Sequence, residues 1–143
     1  MTGPIIIVDD MEIALTVIKT VLLNAGYPNV ITFENPKDAL QFIENSQIPS
    51  FIISDYNMPF MNGVEFLDTV FSIYPHVPSI LVSGDSHTVT KEKNNYQIIE
   101  KGGNDFFKLI IKALCEAQIS PYEAQTEQFQ KTDFNLGTAA KTN

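Results

Sequence analysis

The chain has one cysteine, Cys115, in 143 residues, which excludes an internal disulfide and fits a reducing compartment. Basic residues are few, nine against seventeen acids, and the net charge is −8 with a pI near 4.5. With no basic run, a nucleic-acid phosphate backbone finds no complementary surface, so nucleic acid is excluded as a direct partner. No stretch approaches the ~20 apolar residues of a membrane span, and no membrane association is expected. Met1-Thr2-Gly3-Pro4 leads straight into an apolar run without the charged segment that opens a signal peptide, so a cytoplasmic chain is expected. A glycine- or hydroxyl-rich phosphate loop is also missing after that first run. Asp9-Asp10-Met11-Glu12 stands there and would repel the phosphates of a nucleotide or flavin.

What is present is apolar and periodic. At 44% hydrophobic content the chain can bury one good core, and its length suits one domain rather than two. Ile5-Ile6-Ile7-Val8 stops at Asp9-Asp10, and Phe51-Ile52-Ile53-Ser54 stops at Asp55. Short apolar runs ending abruptly in acid read as strands buried on both faces, with their carboxyl ends at a functional edge. If the two strands are parallel neighbours, the three carboxylates converge. At ~5 Å and an effective dielectric of about 20, each pair would repel by roughly 3 kcal/mol. A hard divalent cation, Mg2+ by preference, would offset that cost and leave one aspartate available for chemistry.

Strand-like and helix-like segments alternate along the rest of the chain. Ile13, Val17, Ile18, Val21 and Leu22 recur at helical spacing and stop at Gly26. A β-branched run from Asn29 to Phe33 follows. Asn35-Pro36 then opens a helix with Ala39, Leu40 and Ile43 on one face. Gly63 begins another helix, with Val64, Leu67, Val70 and Phe71 inward, and Ser79 to Ser83 reads as a fourth strand. Thr88 to Lys101 is predicted as a fourth helix broken by Gly102-Gly103. Asp105-Phe106-Phe107 is predicted as the fifth strand, and Leu109 to Ala117 as the last helix. Five βα units predict a doubly wound, flavodoxin-like α/β fold with a five-stranded parallel sheet. In such sheets ligands bind beyond the carboxyl ends of the strands, where Asp9, Asp10, Asp55 and Ser83 all fall.

The segment from Asp55 through Tyr56-Asn57-Met58-Pro59-Phe60-Met61-Asn62-Gly63 to Leu67, preceded by Asp9-Asp10, resembles the phosphoacceptor loop of the response regulator receiver family. The resemblance spans about residues 4 to 118. It implies strand order 2-1-3-4-5 and a receiver domain over 1–118. The tail beyond it is too short and too little basic for a DNA-binding output domain, so a stand-alone type without an output domain is expected. The resemblance implies that Asp55 takes a phosphoryl group from a histidine kinase, a phosphotransfer protein or a small acyl phosphate. Asp10, Asp55 and the backbone carbonyl of Asn57 would bind Mg2+ directly, and Asp9 through a water. Ser83 would sense the phosphoryl group and Phe106 would be the switch aromatic, coupling the site to a surface that binds a downstream protein. The protein would then be a signalling phosphoacceptor of a two-component phosphorelay, with no enzymatic activity beyond its own phosphorylation and dephosphorylation.

One departure concerns the lysine and proline that the family places at the end of the fifth strand. Leu109-Ile110 stand at those positions, and Lys108 falls one residue early. Side chains alternate across a strand, so Lys108 would need a bulge or a register slip to reach the phosphoryl group. The alternative function is therefore a receiver-like interaction module with impaired phosphorylation. Other residues have ordinary readings: His76 as an exposed loop residue, His87 as a lone histidine without a metal-binding companion, Cys115 as packing. Ser120-Pro121-Tyr122-Glu123 has the form of a capping box. A short extra helix is expected in a tail over 119–143, which could pack on its own domain or form a homodimer with a second copy near the last helix.

Overall fold

The computed structural model describes residues 3–84 and 96–121. Five strands, β1 (Ile5–Val8), β2 (Val30–Phe33), β3 (Phe51–Asp55), β4 (Ser79–Ser83) and β5 (Tyr96–Glu100), form one all-parallel sheet in the order β2-β1-β3-β4-β5. The expected strand order 2-1-3-4-5 is the one found. Among the described residues there are four helices: α1 (Glu12–Asn24), α2 (Pro36–Asn45), α3 (Gly63–Ile73) and α4 (Phe106–Glu116). No helix among them is long and apolar enough to cross a membrane.

The period-2 geometry of strands explains why the central runs are apolar throughout. Ile5, Ile7, Ile53, Ile80 and Val82 point to one face, where α1 and α4 supply Leu15, Ile18, Leu22, Ile110 and Leu114. Ile6, Val8, Ile52 and Leu81 point to the other, against Ala39 and Ile43 of α2 and Phe66, Leu67 and Val70 of α3. Both faces of β1, β3 and β4 are thus core, and each fully buried aliphatic side chain contributes roughly 1.5–3 kcal/mol.

Helix ends follow local chemistry. The Asn35 side chain accepts a hydrogen bond from the Lys37 amide at 2.8 Å, ahead of Pro36. Asn62 and Glu65 form a reciprocal capping box at the start of α3. Helix α1 ends on left-handed Gly26 (φ 97°), with the Tyr27 amide returning to the Leu22 carbonyl at 2.9 Å and the Gly26 amide to Leu23 at 3.0 Å. That six-to-one and five-to-two pairing closes the last turn. The loop between β3 and α3 has its own left-handed residue, Phe60 (φ 69°), spanned by a 2.8 Å hydrogen bond from the Met61 amide to the Pro59 carbonyl. For a residue with a Cβ this conformation costs of order 1–2 kcal/mol.

The structure corrects the predicted order after β4. Residues 96–100 are strand β5, not the end of a helix, and Asp105-Phe106-Phe107 is not a strand. Asp105 is the residue before α4, and Phe106 opens that helix three residues ahead of the predicted start. Consecutive aromatics favour a strand, but here tertiary packing overrides propensity. Phe106 is buried beside Ile110 and Leu114, while Phe107 turns outward with its ring 5.0 Å from Phe106. The remainder of the predicted fourth helix, 88–95, and the tail from Tyr122 onward lie outside the described residues. So does the predicted tail helix, and with it the expected contact of the tail with a second copy.

Candidate functional site

Strands β1 and β3 are adjacent and in register, with Val8 beside Ser54, so Asp9 and Asp55 leave the sheet side by side. Asp9 is buried, Asp55 is 7% exposed, and Asp10 faces solvent. One oxygen from each of these three carboxylates lies within 4.8 Å of the others. The convergence expected from two apolar runs ending in acid is therefore present.

Backbone bonds fix the strand ends. The Asp9 amide donates to the Phe33 carbonyl at 3.1 Å, and Asp9 Oδ1 accepts from the Met11 amide at 2.9 Å. The Tyr56 amide donates to the Val82 carbonyl at 2.8 Å, tying the residue after Asp55 to β4. Gly63 explains the path of the loop that follows. Its amide bonds the Tyr56 carbonyl at 2.8 Å, and a Cβ there would run into the Asp55 carbonyl oxygen and the Leu81 side chain. Only glycine lets α3 begin this close to the site. Asn57 lies in the exposed loop two residues beyond Asp55.

Among the described residues, Lys101 brings a cation to this pocket. Its Nζ lies 2.7 Å from Asp55 Oδ1 and 3.1 Å from Asp9 Oδ2. It directly follows β5, and its amide donates to the Ser83 carbonyl at 2.8 Å, which joins the end of β5 to the end of β4. Ser83 itself is buried at the carboxyl end of β4. The structure thus gathers Asp9, Asp10, Asp55 and Ser83 at one sheet edge and adds a residue the sequence reading missed.

Lys108 is not in the pocket. It lies exposed in the first turn of α4, and Phe106 is a core residue of the same helix. Both assignments rested on placing the fifth strand some nine residues late. The signal that could have found Lys101 is the apolar pair Ile98-Ile99 followed by Glu100-Lys101 and a glycine pair, a strand end rather than a helix end.

Burial and charge set the protonation of the pair. Burial is the largest influence on Asp55 and pushes its carboxyl above the usual range, with the hydrogen bond from Lys101 opposing it and the Asp9 charge reinforcing it. For Lys101 burial also acts most strongly, favouring loss of the proton, but bonds to Asp55 and Asp9 outweigh it and raise the ammonium above its ordinary value. The lysine stays charged at neutral pH. A divalent cation also fits the donor set. Three hard carboxylate oxygens within 4.8 Å can be spanned by one small ion, or by an ion and one bridging water.

Comparison with known proteins bears on family and fold. The profile of the response regulator receiver domain matches residues 5–113. The chemotaxis protein CheY1 of Helicobacter pylori is 29% identical over 100 residues, covering 64% of this chain and 81% of that protein. A CheY homologue of Campylobacter jejuni is 30% identical over 100 residues, covering 64% and 77% respectively. A receiver domain protein from Clostridium thermocellum superposes with a TM-score of 0.69 at 26% identity, covering 80% of this chain and 93% of its own. Matched over its whole sheet and with three acids converging where the strands end, the chain belongs to the response regulator receiver domain family.

Proposed function

We propose that this receiver domain is a magnesium-dependent phosphoacceptor that takes a phosphoryl group on Asp55 and thereby changes what its surface binds. The observation that carries the reading is Asp55 itself: nearly buried, within reach of two other carboxylates, and bonded at 2.7 Å to Lys101. Transfer forms a bond from an Asp55 carboxylate oxygen to phosphorus while the bond to the donor atom breaks. The donor, a histidine imidazole or an acyl oxygen, keeps the electron pair.

Asp10, Asp55 and the Asn57 carbonyl would hold Mg2+, with Asp9 acting through a water; when bound, the ion offsets the repulsion between nucleophile and phosphoryl oxygens. Lys101 would exchange its carboxylate partners for a phosphoryl oxygen, a charge-assisted hydrogen bond worth about 1.5–3 kcal/mol. The Ser83 hydroxyl, buried on the neighbouring strand, would donate a second. These moves make a two-state switch set by local charge. The phosphodonor would be a histidine kinase or phosphotransfer protein, the reader a downstream protein, and no separate substrate is turned over. The competing interaction-module reading draws on a displaced lysine, and Lys101 beside Asp55 supports the phosphoacceptor reading over it.

Incubating the native chain with Mg2+ and acetyl phosphate should give a hydroxylamine-labile mass increase that disappears in Asp55→Asn. No such increase in the native chain, either with acetyl phosphate or with a phosphorylated histidine kinase, would leave the interaction module as the better description.

A further inference from the structure

Phe60 combines two unfavourable features. Its backbone has φ 69° within a tight turn closed by the Met61 amide on the Pro59 carbonyl, a conformation that glycine adopts far more readily. Its side chain is 83% exposed, so burial returns nothing for the strain. The ring does have a cationic neighbour. Lys37 Nζ, from the first turn of α2, lies 5.4 Å from its centroid. A bare phenyl ring thus stands at the carboxyl edge of the sheet, in the loop that joins Asp55 to α3. Met11, 57% exposed, follows Asp10 at the same edge. Strained residues retained without a folding benefit gather at sites of recognition.

Resting on the phosphoacceptor reading, we infer that Phe60 is an anchor by which a protein phosphodonor, rather than a small acyl phosphate, is recognised at this site. A small anionic donor gains nothing from an apolar ring. A macromolecular donor must lay its surface over the pocket mouth to bring phosphorus to Asp55, and an exposed aromatic at the rim gives it an apolar foothold. Aromatic side chains of this kind commonly carry a large share of interface energy. The donor surface expected opposite is an apolar recess with an acid placed to meet Lys37.

The test compares two donors on the native chain, Phe60→Gly and Phe60→Leu. One donor is acetyl phosphate with Mg2+; the other is the fastest of the purified histidine kinases and phosphotransfer proteins from the source organism. Phe60→Gly should slow protein-donor transfer at least tenfold, chiefly through KM, while the acetyl phosphate rate stays within twofold of native. Phe60→Leu, which keeps an apolar side chain, should lie between. Equal protein-donor rates in native and Phe60→Gly chains overturn the inference. So does an equal slowing with both donors, which would make Phe60 a support of the loop, or the lack of any protein donor faster than acetyl phosphate. Failure of the native chain with every donor would instead count against Asp55 as phosphoacceptor.

Discussion

Two lysines seven residues apart in sequence divide the work of this surface. Lys101 bridges Asp55 and Asp9, whereas Lys108 stands in solvent on α4. Because the Lys101 proton is held more tightly in the folded chain than at its ordinary value of 10.5, the pair's contribution to stability is complete below that pH. It is lost as pH rises through the elevated folded value. Denaturant titrations should therefore show an alkaline decline in stability that Lys101→Met removes and Lys108→Met leaves unchanged. Equal alkaline profiles in the native chain and Lys101→Met would refute the assignment. Asp55 shifts stability in the same direction, over the acid range. Its carboxyl is raised above 3.8 chiefly by burial, so ionisation begins to cost stability as pH rises past 3.8 and the cost is complete above the folded value.

At the level of elements, α4 matters because Phe106 belongs to it. A phenyl ring packed beside Ile110 and Leu114 predicts that Phe106→Ala lowers unfolding free energy by about 3–5 kcal/mol. Acetyl phosphate should still label the folded fraction, because Phe106 supplies nothing to the pocket. A variant with native stability in chemical denaturation would contradict this core role. The same element shows where sequence reading reaches its limit. Strands β1, β3 and β4 are unmistakable, because both faces of each are core and every position between Ile5 and Val8 is apolar and buried. Asp9, Asp10, Asp55 and Ser83 were legible for the same reason, as the polar ends of those runs. Strand β5 is at the sheet edge and buries only Ile99 fully, while Gln97 and Glu100 face water. A strand buried at one position in five lacks the continuous apolar pattern, and the aromatic pair at the start of α4 supplied a false substitute. Lys101 was lost along with its strand.

For the molecule as a whole, a cation that binds the folded pocket and not the unfolded chain must stabilise the fold. At a hundredfold excess over its dissociation constant the gain is about 2.7 kcal/mol, enough to raise the melting temperature by on the order of 10 °C. Mg2+ should produce that shift in the native chain and much less in Asp10→Asn, as read by calorimetry without any phosphodonor. An identical shift in both would place the ion elsewhere on this acidic protein. Finally, the bond from the Lys101 amide to the Ser83 carbonyl at 2.8 Å links the two strands bearing the groups that would grip a phosphate. Hydroxyl and ammonium hang from one crossbar, so a tug on either would be felt by its companion through the backbone. The grip should tighten in a single concerted stroke rather than finger by finger.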